Sequence, residues 1–495
     1  TLTKKGNGTL SLRGTNSHAG TSVLSGTINP WSRQCFGTQL TLAGGVMFHQ
    51  LNPIGFEGNS SAGAFTCTFV LSGGEVTFDV SFGGSKDIWT STEISGPGSI
   101  KVTGGGRDQG LNLQGVNTFT GGLTIAGPDT PNVTLFNNSS LGTGTLASTM
   151  TSGDLTRGGL RILGNLSGLP NAIDLGPTSA HRLVVNTGAD GDFNATFTGP
   201  VSGSGGLVKI GNGTLTLAAT NSYAGSTRIN GGRLLLNGAN SGIGAVTVNA
   251  NGRLGGNGSK AAAVTVAAAG GLVLDIADWA VVGSGLAVNT LALPAAAITV
   301  NVGSVTGVVN FTETAKILPI ISATGGITGF DSAMVTISKD ANVPGTGTWS
   351  IQKTGNTLEL VYLPSAIADY DVWAAGFSPA DVSAPTEDFD GDGRSNFDEY
   401  AFGLDPTSGS SVAPITEQLD KATGIFKYTR RATPVTTGLT YTYEWSTTLT
   451  GVWNPFTPVT SPPVGDNATP VETITIEVPA AVLTAPTLFV RVRAL

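Results

Sequence analysis

Leu10 and Leu12, Leu111 and Leu113, and Leu215 and Leu217 alternate with polar residues, the period-two pattern of a strand that buries one face. Aligning these pairs brings Asn16, Asn117 and Asn221 into register, and Gly20, Gly121 and Gly225 with them, at offsets of 101 and 104 residues. The shared Asn-to-Gly element predicts a corner, because Asn tolerates left-handed backbone and Gly needs no Cβ clearance. In the fullest copy, 207–238, a second strand follows at 228–230, then a Gly-Gly corner at 231–232 and a third strand at 233–236. Strand and corner alternate with no helical spacing. Runs at 245–256 and 261–274 continue the pattern. Such a chain stacks coil on coil and satisfies its backbone in ladders, so the pattern predicts a parallel β-solenoid ending near residue 363.

Composition narrows the picture further. Charged residues make up 12% of the 495, and there are 72 glycines. Glycine at that density disfavours a helical bundle, while 39% hydrophobic residues and a net charge of -8 exclude a disordered chain. With 25 basic against 33 acidic residues there is no cationic stripe for nucleic acid. No apolar run reaches the roughly 18 residues of a membrane-spanning helix.

The segments GNGTLTL, NSYAG, INGGRLLLNG and AVTVNANGRLGG at 207–258, with copies at 1–26 and 110–127, resemble the autotransporter-associated β-strand repeat of secreted bacterial passenger regions. The resemblance implies a right-handed parallel β-helix exported across a Gram-negative envelope, secreted or held at the cell surface. About 130 residues after the coil are too few for most membrane barrels, so release or attachment by other means is expected.

Between 28 and 95 the repeat is interrupted by a stretch holding Trp31, Phe36, Phe48, Phe56, Phe65, Phe69, Phe78, Phe82 and Trp89. The expectation is a β-rich insertion with its own small core. Cys35 and Cys67 lie in it, and no metal-type spacing competes for them. A disulfide closing this loop is the expected arrangement, two buried thiols the alternative.

Ten of the 33 acidic residues fall between Asp369 and Asp405. Residues 388–399 read DFDGDGRSNFDE, with Asp388, Asp390 and Asp392 alternating, Gly393 at the sharp turn and Glu399 closing the span. That is the spacing of an EF-hand-type calcium loop, with the Arg394 carbonyl at position 7, Asn396 at 9 and a bidentate carboxylate at 12. Carboxylates so crowded repel one another unless a cation joins them. Ser395 stands at position 8, where paired EF-hands place an apolar residue, so the loop resembles the unpaired ones of dockerins and thrombospondin type 3 repeats. A short helix at Ile367, Tyr370 and Trp373 before the loop, stopped by Gly376, and a second after it, ended by Gly403 and Pro406, complete a linker over 364–410. The expected role of calcium is to lock this joint.

From 411 onward, strands at 425–430, 439–446, 471–478 and 488–493 predict a small β-sandwich. This segment, with its calcium loop, resembles the C-terminal regions of large secreted proteins of some environmental bacteria. Tyr441, Tyr443 and Trp445 share one strand face and are expected in its core, while Trp445 and Trp453 are candidates for glycan or partner contact. Catalysis is not expected. Only 17 acidic residues lie in 1–363, the closest being Asp190 and Asp192, and His18, His49 and His181 sit in no triad-like or HExxH context.

The fold class expected is therefore all-β: a parallel solenoid with an aromatic-rich insertion, a helical calcium-loop linker and a C-terminal sandwich. The preferred function is a secreted structural protein that self-associates into a filament, sheath or surface layer, through solenoid ends or donation of strand 488–493. The alternatives are a cell-surface adhesin or glycan-binding protein and, second, a polysaccharide-degrading β-helix enzyme.

Overall fold

The computed structural model describes residues 1–30, 35–49, 65, 67–81, 88–105, 110–188, 191–304, 307–364, 366–411, 413–432, 439–466 and 468–494. Trp31, Phe56, Phe82, Asp190 and the side chains of Trp89 and Ile367 lie outside the described residues.

Short strands stack in parallel throughout the first 300 residues. Gly206–Ile210 pairs with Thr227–Ile229, that strand with Val246–Val248, and that in turn with Ser259–Val266. Beside this ladder runs a second one: Thr214–Leu217, Gly232–Leu236, Gly252–Gly255, Gly271–Asp275 and Ile298–Gly303. In that ladder Leu215 lies on Leu234, Leu254, Leu272 and Val300 in succession, and all five are fully buried. Burying one such side chain contributes about 2 kcal/mol, so the leucine alternation in the sequence is the axis of the core. The chain is the β-solenoid its pattern predicts.

The corners are built from side-chain amides. Asn117 Oδ1 accepts from Ile94 N at 2.9 Å, and Asn117 Nδ2 donates to the Ser140 carbonyl on the following coil at 2.6 Å. Asn221 accepts from Val201 N at 2.8 Å in the same manner. Two residues further on, the corner chooses its partner by chemistry. Tyr223 and Thr227 hydroxyls meet at 2.8 Å, and His18 Nε2 meets Thr21 Oγ1 at 2.7 Å. Where the corner residue is Phe119, the next strand opens on Leu123 instead. A further match links two copies: Lys209 Nζ donates to the carbonyls of Ile210, Gly211 and Gly231, and Lys4 Nζ to those of Lys5, Gly6 and Ser25. On the buried Lys209 ammonium the three carbonyl oxygens replace lost water.

The described part of 28–95 differs from the expected insertion. Gln39–Ala43 pairs in parallel with Thr21–Val23 below and Thr68–Gly73 above, and Glu75–Asp79 pairs with Ser99–Thr103. These strands are further coils of the same body. Phe36, Phe48, Phe65, Phe69 and Phe78 are fully buried in the core that also holds Leu111 and Leu215, with Phe48 stacked on Phe78 at 5.1 Å between centroids. They belong to coils whose register advances 29 residues, Leu40 to Phe69, rather than the 19 of Thr21 to Leu40.

Cys35 and Cys67 are likewise core-facing, and the structure holds them as two buried thiols rather than the expected disulfide. Burial, then the neighbouring Cys35, pushes the Cys67 thiol up to about 12. The ladder between Gln39–Ala43 and Thr68–Gly73 already joins the two segments, so the fold does not depend on the cross-link.

The coil closes on an antiparallel hairpin. Thr348–Thr354 pairs with Thr357–Leu363, which pairs in turn with Lys316–Ala323. Trp279, Phe311, Trp349 and Tyr362 cluster beneath it, with Trp349 and Tyr362 centroids 4.5 Å apart. Two helices follow, α1 (Ala366–Ala375) and α2 (Asn396–Phe402).

The C-terminal region consists of two three-stranded antiparallel sheets around one core. Ile415–Asp420, Ile425–Arg431 and Val471–Glu477 form one sheet; Asn454–Phe456, Tyr441–Ser446 and Phe489–Ala494 form the other. The terminal strand expected as a donor to a neighbour is paired at home, Tyr443 against Val492. Among the described residues no helix is long and apolar enough to cross a membrane.

Candidate functional site

The loop between the helices is shaped by its own aspartates. Asp388 Oδ1 accepts from Gly391 N at 2.8 Å and its Oδ2 from Gly393 N at 2.8 Å; Asp390 Oδ1 accepts from Asp392 N, and Asp392 Oδ1 from Arg394 N at 2.8 Å. Gly391 at φ 75° and Gly393 at φ 91° supply the left-handed turns this wrapping requires. Ser395 caps α2, its hydroxyl accepting from Asp398 N at 3.1 Å, which accounts for a polar residue at that position. Gly403 ends the helix at φ 70°, as its place in the sequence predicts.

One carboxylate oxygen of each aspartate lies within 4.8 Å of the others. Asp390 Oδ2, Asp392 Oδ2 and both oxygens of Glu399 are buried and have no hydrogen-bond partner among the described residues. Glu399 is fully buried, and its carboxyl is pushed up to about 7 by that burial, then by the charges of Asp390, Asp392 and Asp388. Buried acceptors without donors each cost about 1–3 kcal/mol, so the arrangement is incomplete as a protein-only structure.

Asn396 differs from the ligand expected at position 9. Its Oδ1 accepts from Phe389 N at 3.2 Å and its Nδ2 donates to the Ala384 carbonyl at 2.9 Å, so the amide braces the loop from behind. A side chain with both ends committed to loop backbone is scaffold.

The loop is tied to the C-terminal sheets through the residues after Glu399. The Tyr400 hydroxyl donates to Asp369 Oδ2 on α1, Arg431 Nε donates to the same oxygen at 3.2 Å, and the guanidinium lies 4.4 Å over the Tyr400 ring. Tyr441 donates to the Ala401 carbonyl at 2.7 Å and Thr429 to that of Phe402 at 2.9 Å. Whatever fixes Glu399 therefore fixes both helices against the sheet.

Trp445 is partly buried against the C-terminal core, and Tyr443 lies within it. Trp453 carries the Arg491 guanidinium 4.3 Å over its ring, and Arg491 Nε donates to Glu444 at 2.6 Å. One face of the expected sugar platform is thus already occupied. Sequence reading missed the pairing of His49 Nδ1 with Asp79 Oδ2 at 3.2 Å, which the coil brings into register from 30 residues away. Nothing local to either residue signals it.

Three stretches, 2–29, 110–127 and 207–236, match the model of the passenger-associated-transport-repeat. Over 244 residues the chain is 29% identical to the BmaC autotransporter adhesin of Brucella suis biovar 1 (strain 1330), a span of 46% of this chain and 7% of that protein. The chain thus spans a small fraction of the length of the relative it matches. Over these stretches the chain is similar to the passenger repeats of autotransporters.

Proposed function

We propose that the chain is an adhesin-type surface passenger segment, a stiff coiled spacer whose C-terminal sheets are held in place by a structural calcium ion. The likeness to an autotransporter adhesin supports the first half. A core that continues from Val23 to Tyr362 supports the spacer, since each coil braces its neighbours.

The observation that carries the calcium half is the set of four buried carboxylate oxygens on Asp390, Asp392 and Glu399 that have no donor among the described residues. A hard cation taking six to eight oxygens suits such a donor set, with Asp388, Asp390, Asp392 and Glu399 as carboxylate ligands and the Arg394 backbone carbonyl beside them. Calcium there would neutralise the crowded charge and couple folding of 384–402 to metal binding. Filament assembly is less well supported, because the terminal strand is paired within the chain and a hairpin crosses one end of the coil.

The test is display of this chain on the surface of a non-adherent bacterium. Attachment to host cells or extracellular matrix above that of the bare strain is expected, with a drop when calcium is chelated. Attachment equal to the bare strain overturns the adhesin reading, and attachment indifferent to chelation overturns the structural role of the metal.

A further inference from the structure

The coil carries a cavity of about 210 Å³ on its flank, far from the acidic loop in sequence, and its lining is unlike the rest of this body. His181, Arg182 and Arg228 line it together with Ser179 and Ser226, and no Asp or Glu among the described residues does. In a chain with 25 basic residues among 495, three cationic or protonatable side chains at one small cavity is a concentration that composition does not predict.

Ladder register creates the cluster. Arg182 lies beside Gly206 while Val184 lies beside Val208 and Val208 beside Arg228, so Arg182 and Arg228 stand two coils, about 10 Å, and two residues apart on one flank and border the cavity from either side. Val208 and Leu155 add an apolar surface to this lining.

The charges are not spent on carboxylates. Arg233, Arg430, Arg431 and Arg491 each have an ion-pair partner, whereas among the described residues none of His181, Arg182 and Arg228 does. Arg182 donates one Nη2 bond to the Thr151 carbonyl at 3.2 Å, while Arg182 Nε and His181 Nδ1 are buried without a partner among the described residues. The guanidinium groups of Arg182 and Arg228 favour an anionic oxygen group, and arginine is suited to planar carboxylate and to sulfate alike.

We propose that this cavity binds the carboxylate or sulfate group of an acidic extracellular polysaccharide. The volume decides for a polymer subsite. Pockets that enclose a whole drug-sized ligand run about 300–1,000 Å³, so this one takes a single charged group and part of its sugar ring. Useful affinity then comes from charge repeated along a chain that lies on the coil. Ser179 and Ser226 offer hydroxyl partners to the ring, and the Val208 and Leu155 surface takes its apolar face. The inference rests on the surface-adhesin reading for where such a polymer is met.

The test uses the whole purified chain at low ionic strength, where charge contacts are least screened. Probes are a heparin-derived hexasaccharide for sulfate, an oligogalacturonate hexasaccharide for carboxylate, a neutral dextran hexasaccharide and a hexaglutamate peptide. One or both acidic sugars are expected to bind, dextran and the peptide at least tenfold more weakly. Which sugar binds better identifies the anion. Arg228 is exposed, so Arg228→Gln is expected to leave the melting temperature in place and to weaken acidic-sugar binding about tenfold, as is Arg182→Gln.

No binding of either sugar, binding unchanged in Arg228→Gln, or equal binding of hexaglutamate overturns the proposal. The two readings fail separately. Bacteria displaying the chain that adhere normally with Arg228→Gln, when that purified variant also binds sugar normally, sink the cavity alone; acidic-sugar binding lost in Arg228→Gln without any adhesion by displaying cells sinks the adhesin reading and leaves the cavity standing.

Discussion

Asn221 Nδ2 donates to Oδ1 of Asn240 at 3.0 Å, one coil away, and the two backbones bridge at the same point. Asn221 Oδ1 meanwhile accepts from Val201 N on the preceding coil, and Asn240 Nδ2 donates to the Ser259 carbonyl on the next. Four levels are thus joined through two side chains that are each 1% exposed. Asn221→Leu keeps the size and removes the three bonds made by the Asn221 side chain, leaving the Val201 N–H, the Ala219 carbonyl and Asn240 Oδ1 to find other partners. A loss of about 3 kcal/mol or more is expected. The check is the denaturant midpoint of the variant against Asn257→Leu, a change at an exposed position. Equal midpoints for the two would remove the amide ladder from the account of stability.

Gly232 and Gly45 separate backbone strain from crowding. Both have left-handed φ, 62° and 78°, but a Cβ on Gly232 meets the Gly211 and Gly213 carbonyl oxygens at 2.4 Å, whereas a Cβ on Gly45 meets nothing within 4 Å. Gly45→Ala should cost about 1–2 kcal/mol from conformation alone. Gly232→Ala should cost more, since two carbonyls of the coil beneath must move. Thermal melts of the two variants decide it, and a Gly45→Ala drop as large as that of Gly232→Ala contradicts the close approach of stacked corners.

The sequence made the strands and corners legible because alternation is local: Leu215 and Leu217 show their buried face within four residues. The coil length was not legible. Register advances by 20 residues from Leu207 to Thr227, 19 from there to Val246, but 27 from Leu146 to Ile173, so no fixed period marks the body. For the same reason the aromatic coils read as an insertion: their wider spacing breaks the pattern while their phenylalanines enter the common core. In the acidic loop, spacing singled out the three aspartates and Glu399, and the structure gathers the aspartate carboxylates within 4.8 Å of one another and buries Glu399. It could not show that Asn396 turns back to Ala384 and Phe389, since that depends on where residues before the loop are folded.

The two cysteines are counted directly by a thiol-specific chromogenic reagent. A thiol held at about 12 stays protonated across the working pH range, and Cys67 is 1% exposed, so the native chain should react at neither position on the timescale of minutes. Two equivalents should appear on denaturation without reductant. None under denaturant, with two after reduction, would establish the cross-link instead.

Glu399 gives the calcium proposal a pH signature with a definite sign. With its carboxyl raised to about 7 in the folded metal-free chain, above the 4.5 of the free side chain, the native state holds a proton the unfolded state has released. Stability that depends on this group is therefore present below about 4.5 and is lost as pH rises through about 7. In chelator, the C-terminal region should melt at a lower temperature at pH 8 than at pH 5.5. Calcium should reverse the order, because the ion binds the deprotonated carboxylate and its affinity falls as protons compete. Glu399→Gln, which keeps the shape and removes the charge, should melt independently of pH over that window in chelator and gain little from calcium. The readout is melting of the C-terminal region by near-ultraviolet dichroism, where Tyr400, Tyr428 and Tyr443 report on the packed core. A wild-type chain whose melting ignores calcium at pH 8 would leave the four buried oxygens without the cation they are proposed to hold.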